Sequence, residues 1–143
     1  FLRFGIFNQQ AVRKFGQDIS SSFSITAELD APIGTLSGGN IQKVILAREL
    51  AALTDFIMFS EPAWGLDVAS TEYIYGRILE CRENRIGILL ISSNLDEILG
   101  LADTLVVMYR GRIVGEFENR GDLSKELIGE YMLGIRDDFK GKP

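Results

Sequence analysis

A serine and two glycines stand directly before an amphipathic stretch, and together they could hold an anion. Ser37, Gly38 and Gly39 precede residues 41–53, in which apolar side chains recur at the three-to-four spacing of one helix face. The first N–H groups of a helix have no partner within it and carry partial positive charge. Glycine also lets a phosphate approach the backbone closely. The pattern predicts an anion site, although a Gly-Gly turn that only caps an ordinary helix explains the same residues.

A second candidate site follows a short apolar run. Residues 56–59 are continuously apolar and are followed by Ser60 and Glu61. Such a run predicts a buried strand of a parallel sheet, and open α/β sheets place their sites at the carboxyl ends of their strands. Glu61 also has a simpler interpretation as an acid at a strand end. A little further on, Asp67 is expected to cap the helix that starts near Ala69.

The elements that must position these residues alternate along the chain. Periodicity and turn residues predict helices over residues 9–21, 41–53, 69–84, 94–101 and 122–131, buried strands over 55–59 and 86–92, and a hairpin with strands 105–109 and 113–117. Asn94 or Ser93 is expected to cap the fourth helix, and Asp122 the last. This alternation predicts an α/β fold with a parallel core and a small antiparallel ending.

The order and spacing of the motifs resemble those of the ATP-binding-cassette (ABC) ATPases over nearly the whole chain. Residues 36–40 resemble the signature motif, with Asn40 where many members have glutamine. Residues 56–61 resemble the Walker B strand, and residues 65–67 resemble the D-loop. Residues 89–97 resemble the switch segment, and residues 106–116 resemble the strand pair that follows it.

The resemblance implies the C-terminal part of the second half of a tandem sugar- or nucleoside-importer ATPase. It also implies a partial P-loop NTPase core with a parallel sheet. Residues 1–35 would be the end of the helical subdomain and a linker, residues 36–135 the signature-to-switch part of the core, and residues 136–143 a frayed tail.

Two catalytic positions of the family are altered here. Ser60 stands in place of the Walker B aspartate, and a neutral hydroxyl has no charge to hold the water shell of Mg²⁺. Ser93 stands in place of the switch histidine, whereas Glu61 occupies the position of the catalytic glutamate, the candidate base. The resemblance therefore implies that this half's own site is degenerate.

The sequence also contains no G-x-x-x-x-G-K-[ST] loop to cradle phosphates. We interpret the chain as a fragment of a longer ATPase that uses ATP and Mg²⁺, and we expect the fragment alone to be inactive. Strands that normally flank the phosphate-loop strand would be left with open apolar edges, so we also expect self-association or marginal stability.

In the family, ATP lies between the phosphate loop of one half and the signature of the other. Ser37, Gly38, Gly39 and Asn40 would therefore bind ATP held by the partner half, with Asp67 at the seam between the halves. An asymmetric ATPase, with one competent and one degenerate site, is the resulting hypothesis.

The resemblance further implies partners and a location. The partners would be the other ATPase half, membrane-spanning permease subunits and, indirectly, an extracytoplasmic solute-binding protein, at the cytoplasmic face of the cell membrane. Residues 72–75 and 108–116 resemble nucleoside importers somewhat more than sugar importers. The alternatives are a non-catalytic dimerisation or regulatory half and a non-transport ABC ATPase.

Composition narrows the function classes. Among 143 residues, 15 basic and 20 acidic side chains give a net charge of −5, which argues against a nucleic-acid partner. The absence of histidine from the sequence excludes His-based catalysis, and we predict no metal site in the chain itself. The single cysteine, Cys81, fits a helix or core position better than a nucleophile, and no apolar run approaches the ~20 residues that span a bilayer.

Overall fold

A computed structural model describes residues 2–3, 6–51 and 55–139. The chain divides into two compact units. The signature unit comprises Phe1–Ile57 and Pro62–Ile88, and the switch unit comprises Met58–Glu61 and Leu89–Pro143.

The described elements follow the predicted alternation with small shifts at their ends. In chain order they are β1 (Leu2–Arg3), β2 (Ile6–Phe7), α1 (Gln9–Ser22), a 3₁₀ turn (Ile33–Thr35), α2 (Gly38–Leu50), β3 (Phe56–Ser60), α3 (Val68–Glu83), β4 (Gly87–Ile91), α4 (Leu95–Leu101), β5 (Thr104–Tyr109), β6 (Arg112–Glu118) and α5 (Lys125–Met132). The short antiparallel pair of β1 and β2 was not predicted.

Each α-helix begins at a polar side chain that accepts a hydrogen bond from its first turn. A side-chain oxygen at this position satisfies a backbone N–H that has no intrahelical partner, which is why such residues favour helix starts. The caps of α1 to α5 are, in order, Asn8, Ser37, Asp67, Asn94 and Ser124. Asp122, predicted to cap the last helix, lies two residues before the cap that the structure uses.

The sheets confirm the predicted α/β class. β3 and β4 pair in parallel, and the Gly87 N–H donates to the Asp55 carbonyl at 2.8 Å. β5 and β6 form the predicted antiparallel hairpin, with an irregularity in register between Val107 and Met108. The hairpin turn takes positive φ at both of its central residues, Arg110 (48°) and Gly111 (78°), as a tight two-residue turn requires.

The core of the switch unit lies between this hairpin and α5. Its buried members are Leu105, Val107, Val114, Ile128 and Tyr131. The rings of Phe117 and Tyr131 meet edge to face, with centroids 5.0 Å apart. In the signature unit, α3 buries Ile74, Ile78 and Cys81. Cys81 is only 3% exposed, and this burial raises the pKa of its thiol.

The two strands predicted to be buried are only partly so, and this expectation was wrong. In β3, Ile57 and Phe59 are buried, but Phe56 and Met58 are 58% and 60% exposed. In β4, Leu89 and Ile91 are 46% and 47% exposed. A continuously apolar strand is fully buried only when layers cover both faces of its sheet, and the described residues do not cover both.

The described part of the predicted frayed tail makes specific contacts. The Asp138 N–H donates to the Val114 carbonyl at 2.9 Å, and the Tyr131 hydroxyl donates to the Asp138 carboxylate at 2.9 Å. Arg136 pairs with Glu130. Residues 140–143 lie outside the described part of the chain.

Candidate functional site

The signature segment forms the start of α2. This helix begins at Gly38, three residues earlier than predicted, so both glycines lie in its first turn. The Ser37 hydroxyl accepts from the Asn40 N–H at 3.4 Å, and the Ser37 carbonyl accepts from the Ile41 N–H at 3.0 Å. We call residues 37–40 the signature turn. The signature turn therefore lies at a helix N-terminus, which is where the predicted anion site needs it.

The two glycines of this turn have different surroundings. A Cβ on Gly38 would meet only Leu66 Cδ2, at the ordinary contact distance of 3.8 Å. A Cβ on Gly39 would overlap the Ser70 hydroxyl and lie 3.2 Å from Ser70 Cβ. Gly39 is therefore required by packing against α3 within this unit, which sequence reasoning missed. Its only signal in the sequence was the glycine itself.

Asp67 serves as the N-cap of α3, as predicted. Its Oδ1 accepts from the Ser70 N–H at 2.9 Å, and its Oδ2 accepts from the Ser70 hydroxyl at 2.8 Å. These two bonds, the backbone one first, hold the pKa of the Asp67 carboxyl below its ordinary 3.8. Ser70 thus connects Asp67 with Gly39, because the same side chain contacts both.

Asn40 uses its side chain inside the fold. The Thr26 N–H donates to Asn40 Oδ1 at 3.3 Å, and Asn40 Nδ2 donates to Thr26 Oγ1 at 3.1 Å. This pair joins the first turn of α2 to the segment that follows α1. Thr26 lies in an aperiodic stretch, so the sequence had no signal for it.

In the switch unit the structure brings together Glu61 and Ser93, two residues predicted to share a site. The Ser93 N–H donates to Glu61 Oε1 at 2.9 Å, and the Ser92 hydroxyl lies 3.5 Å from Oε2. The Glu61 N–H donates to the Ile91 carbonyl at 2.8 Å. The backbone of Glu61 has a φ of 47°, in the left-handed region that costs a side-chain-bearing residue energy. The Ser93 N–H and the Ser92 hydroxyl together place a switch-segment donor at each carboxylate oxygen of Glu61.

The donor set around Glu61 does not suit Mg²⁺. The neighbouring Walker B position is Ser60, which has no carboxylate, and Glu61 already accepts hydrogen bonds. No group of three or more His, Cys, Asp or Glu side chains within the described ranges could hold a metal ion. In the switch segment Asn94, one of the two expected caps, caps α4, and the Ser92 hydroxyl accepts from the Asn94 N–H at 3.0 Å.

The predicted site residues thus fall into two groups, one in each unit. Ser37, Gly38, Gly39, Asn40 and Asp67 lie in the signature unit, and Ser60, Glu61 and Ser93 lie in the switch unit. Among the described helices none has the length and continuous apolar character needed to cross a lipid bilayer.

The chain is similar in sequence and in fold to known proteins. No protein-family model matches the chain. It is 40% identical over 131 residues to a ribose import ATP-binding protein, RbsA 2 of Mesorhizobium japonicum, covering 91% of this chain and 26% of that protein. It is 43% identical over 108 residues to a glucose import ATP-binding protein, TsgD13 of Haloferax volcanii, covering 76% of this chain and 20% of that protein.

Among solved structures, the ATP-binding cassette MJ1267 of an ABC transporter superposes with a TM-score of 0.73 at 25% identity, covering 91% of this chain and 51% of that cassette. The chain thus spans about a quarter of the length of the first curated relative and about half of a solved cassette. The chain belongs to the ABC ATPases, and its two curated relatives above are ATP-binding proteins of sugar importers.

Proposed function

We propose that this chain is the signature-bearing part of an ABC importer ATPase, and that its signature turn completes an ATP site held by a partner half. The observation that carries the proposal is the signature turn itself, in which Ser37 caps α2 and both glycines lie in the first helical turn. Unpaired N–H groups at a helix start and a nearby serine hydroxyl suit a terminal phosphate.

We further propose that this half's own site is degenerate. Ser60 has no charge for Mg²⁺, and Ser93 contacts Glu61 through its backbone N–H, not through a side chain that could reach a phosphate. Glu61 accepts hydrogen bonds from the switch segment, which supports a holding role for its carboxylate.

The transported solute belongs to the proposal as well. The relatives named above are ATP-binding proteins of ribose and glucose import, so we propose a simple sugar ahead of the nucleoside that parts of the sequence suggested. The assembly would include a second ATPase half with its phosphate loop, ATP, Mg²⁺ and permease subunits at the cytoplasmic face of the membrane. An extracytoplasmic solute-binding protein would participate indirectly.

The test is ATP hydrolysis by the longer tandem protein carrying Ser37→Arg. A bulky cation at the cap would block the ATP site that this signature completes, and we expect loss of nearly all turnover. Ser37→Ala removes only the hydroxyl and should cause a smaller loss. Ser21→Arg makes the same change at an exposed position of α1 and is the matched control. Substantial turnover in Ser37→Arg would contradict the proposal, because the site with Ser60 and Ser93 would then be active.

The alternative of a purely structural half is favoured by the engagement of Glu61 and needs its own measurement. Glu61→Gln in the longer protein removes the charge but retains an oxygen that can accept from the Ser93 N–H. Unaffected transport would support a half that serves as a scaffold. Abolished transport would make Glu61 a catalytic base and would contradict the degenerate-site proposal.

A further inference from the structure

The end of α1 is held by side chains from two other helices of the signature unit. We call residues 22–26 the α1 exit. It includes the last residue of α1, the buried cap Phe23 and Thr26, which pairs with Asn40. The final carbonyls of a helix have no intrahelical partners and carry partial negative charge, so cations stabilise them. The last turn of α1 contains no basic residue of its own.

The first cation comes from the signature helix α2. Lys43 Nζ donates to the Ser24 carbonyl at 3.1 Å and lies 4.7 Å from the centroid of the Tyr73 ring. Lys43 is three residues after Asn40, so both side chains lie on the same side of α2. The signature helix therefore contacts the α1 exit at two points, Thr26 and Ser24.

The second cation comes from α3. The guanidinium of Arg77 donates to the Ser22 carbonyl and stacks 4.7 Å from the centroid of Phe23. It also donates to the Tyr73 hydroxyl at 3.0 Å and pairs with Glu80 at 2.6 Å. Tyr73 therefore lies between the two cations, since its ring contacts Lys43 and its hydroxyl contacts Arg77. A planar guanidinium can stack and donate in several directions at once, which lysine cannot.

We propose that Lys43 and Arg77 are positioning residues that orient the signature turn by clamping the α1 exit against α2 and α3. Neither residue is assigned a contact with ATP. The clamp holds α2 at Asn40, the last residue of the signature turn, and at Lys43, three residues further on. This inference rests on the proposed function for its consequence in catalysis, but the clamp itself belongs to the contacts described above.

The first test measures amide hydrogen exchange in the chain itself. Lys43→Met removes the charge from a side chain of similar length. Arg77→Gln removes the guanidinium that stacks on Phe23 and donates to the Ser22 carbonyl. In both variants we expect the Thr26 and Ile41 amides to exchange about tenfold faster, which corresponds to about 1.4 kcal/mol. Lys43→Arg should restore slow exchange. Lys14→Met on exposed α1 is the matched control. Unchanged exchange at both amides in Lys43→Met and Arg77→Gln would overturn the clamp.

The second test measures steady-state ATP hydrolysis by the longer protein. A misoriented signature should raise the KM for ATP about fivefold in Lys43→Met, a loss of about 1 kcal/mol, with a smaller change in kcat. Lys43→Arg should return the KM to the wild-type value, which a general loss of stability would not do. An unchanged KM in Lys43→Met, beside a Ser37→Arg variant that has lost turnover, would refute positioning while leaving the proposed function intact. If Ser37→Arg retains turnover, the proposed function fails, and the exchange measurement still decides the clamp.

Discussion

The signature turn and the Glu61 segment are both polar ends of regular elements, yet they use their polar groups in opposite ways. Around the signature turn the side chains bond to one another, Asp67 with Ser70 and Asn40 with Thr26, and the first N–H groups of α2 lie at the helix N-terminus. At Glu61 the candidate catalytic group itself accepts the hydrogen bonds. The signature turn therefore keeps the N–H groups of a helix start for a ligand, whereas the Glu61 carboxylate is used to hold the switch segment.

The largest expected effect breaks the packing behind the signature turn. Gly39→Ala places a methyl group against Ser70, and overpacking of this kind costs about 1–3 kcal/mol of unfolding free energy. Urea denaturation of the chain measures the loss. Gly38→Ala is the matched control and should change stability by less than about 1 kcal/mol. Ser70→Gly alone also loses the bond to Asp67, so the loss caused by Gly39→Ala is measured both in wild type and in Ser70→Gly. It should be much smaller in Ser70→Gly, and an equal loss in both backgrounds would mean that Ser70 is not the obstacle.

A smaller effect tests whether Glu61 holds the switch segment. Glu61→Ala removes the acceptor of the Ser93 N–H, and we expect a loss of about 1–2 kcal/mol for this partly exposed group. Glu61→Gly makes the same deletion but relieves the positive φ of 47°, so it should be less destabilising by about 1 kcal/mol. Equal unfolding free energies for the two variants would show that the left-handed backbone is not a source of strain.

The smallest expected effect concerns the cap next to the signature turn and depends on pH. Because the Asp67 pKa is lowered in the folded chain, its contribution to stability is fully present above 3.8 and is lost as the pH falls below that value through the folded pKa. Asp67→Asn should therefore lower the melting temperature at neutral pH, with the difference from wild type shrinking in acid. Asp67→Ser retains a capping oxygen that does not titrate and should remove this pH dependence. A difference between wild type and Asp67→Asn that stays constant with pH would contradict the assigned role of the carboxylate.

Local patterns predicted the elements well, because capping residues and apolar spacing act over a few residues. The helix starts at Asp67 and Asn94 and the hairpin at Arg110 and Gly111 are examples. The family resemblance predicted the two groups of site residues, and their roles stay predictions. What remained hidden depends on contacts distant in sequence: Ser70 behind Gly39, Thr26 beside Asn40, and Arg77 on the carbonyl of Ser22. Burial of β3 and β4 was overpredicted because an apolar run does not reveal how many layers cover its sheet.

The half-exposed strands have a thermodynamic consequence. Phe56, Met58, Leu89 and Ile91 remain largely hydrated in the folded chain, so unfolding newly exposes less apolar area than a chain of this length normally would. The heat-capacity change of unfolding should fall below the about 12–15 cal/mol/K per residue typical of globular domains. The stability curve would then be flatter, and the denaturant slope shallower for the chain length. A segment that covers these strands would increase both the heat-capacity change and the denaturant slope. Calorimetry can therefore detect that the strands are covered even when the covering segment is unknown.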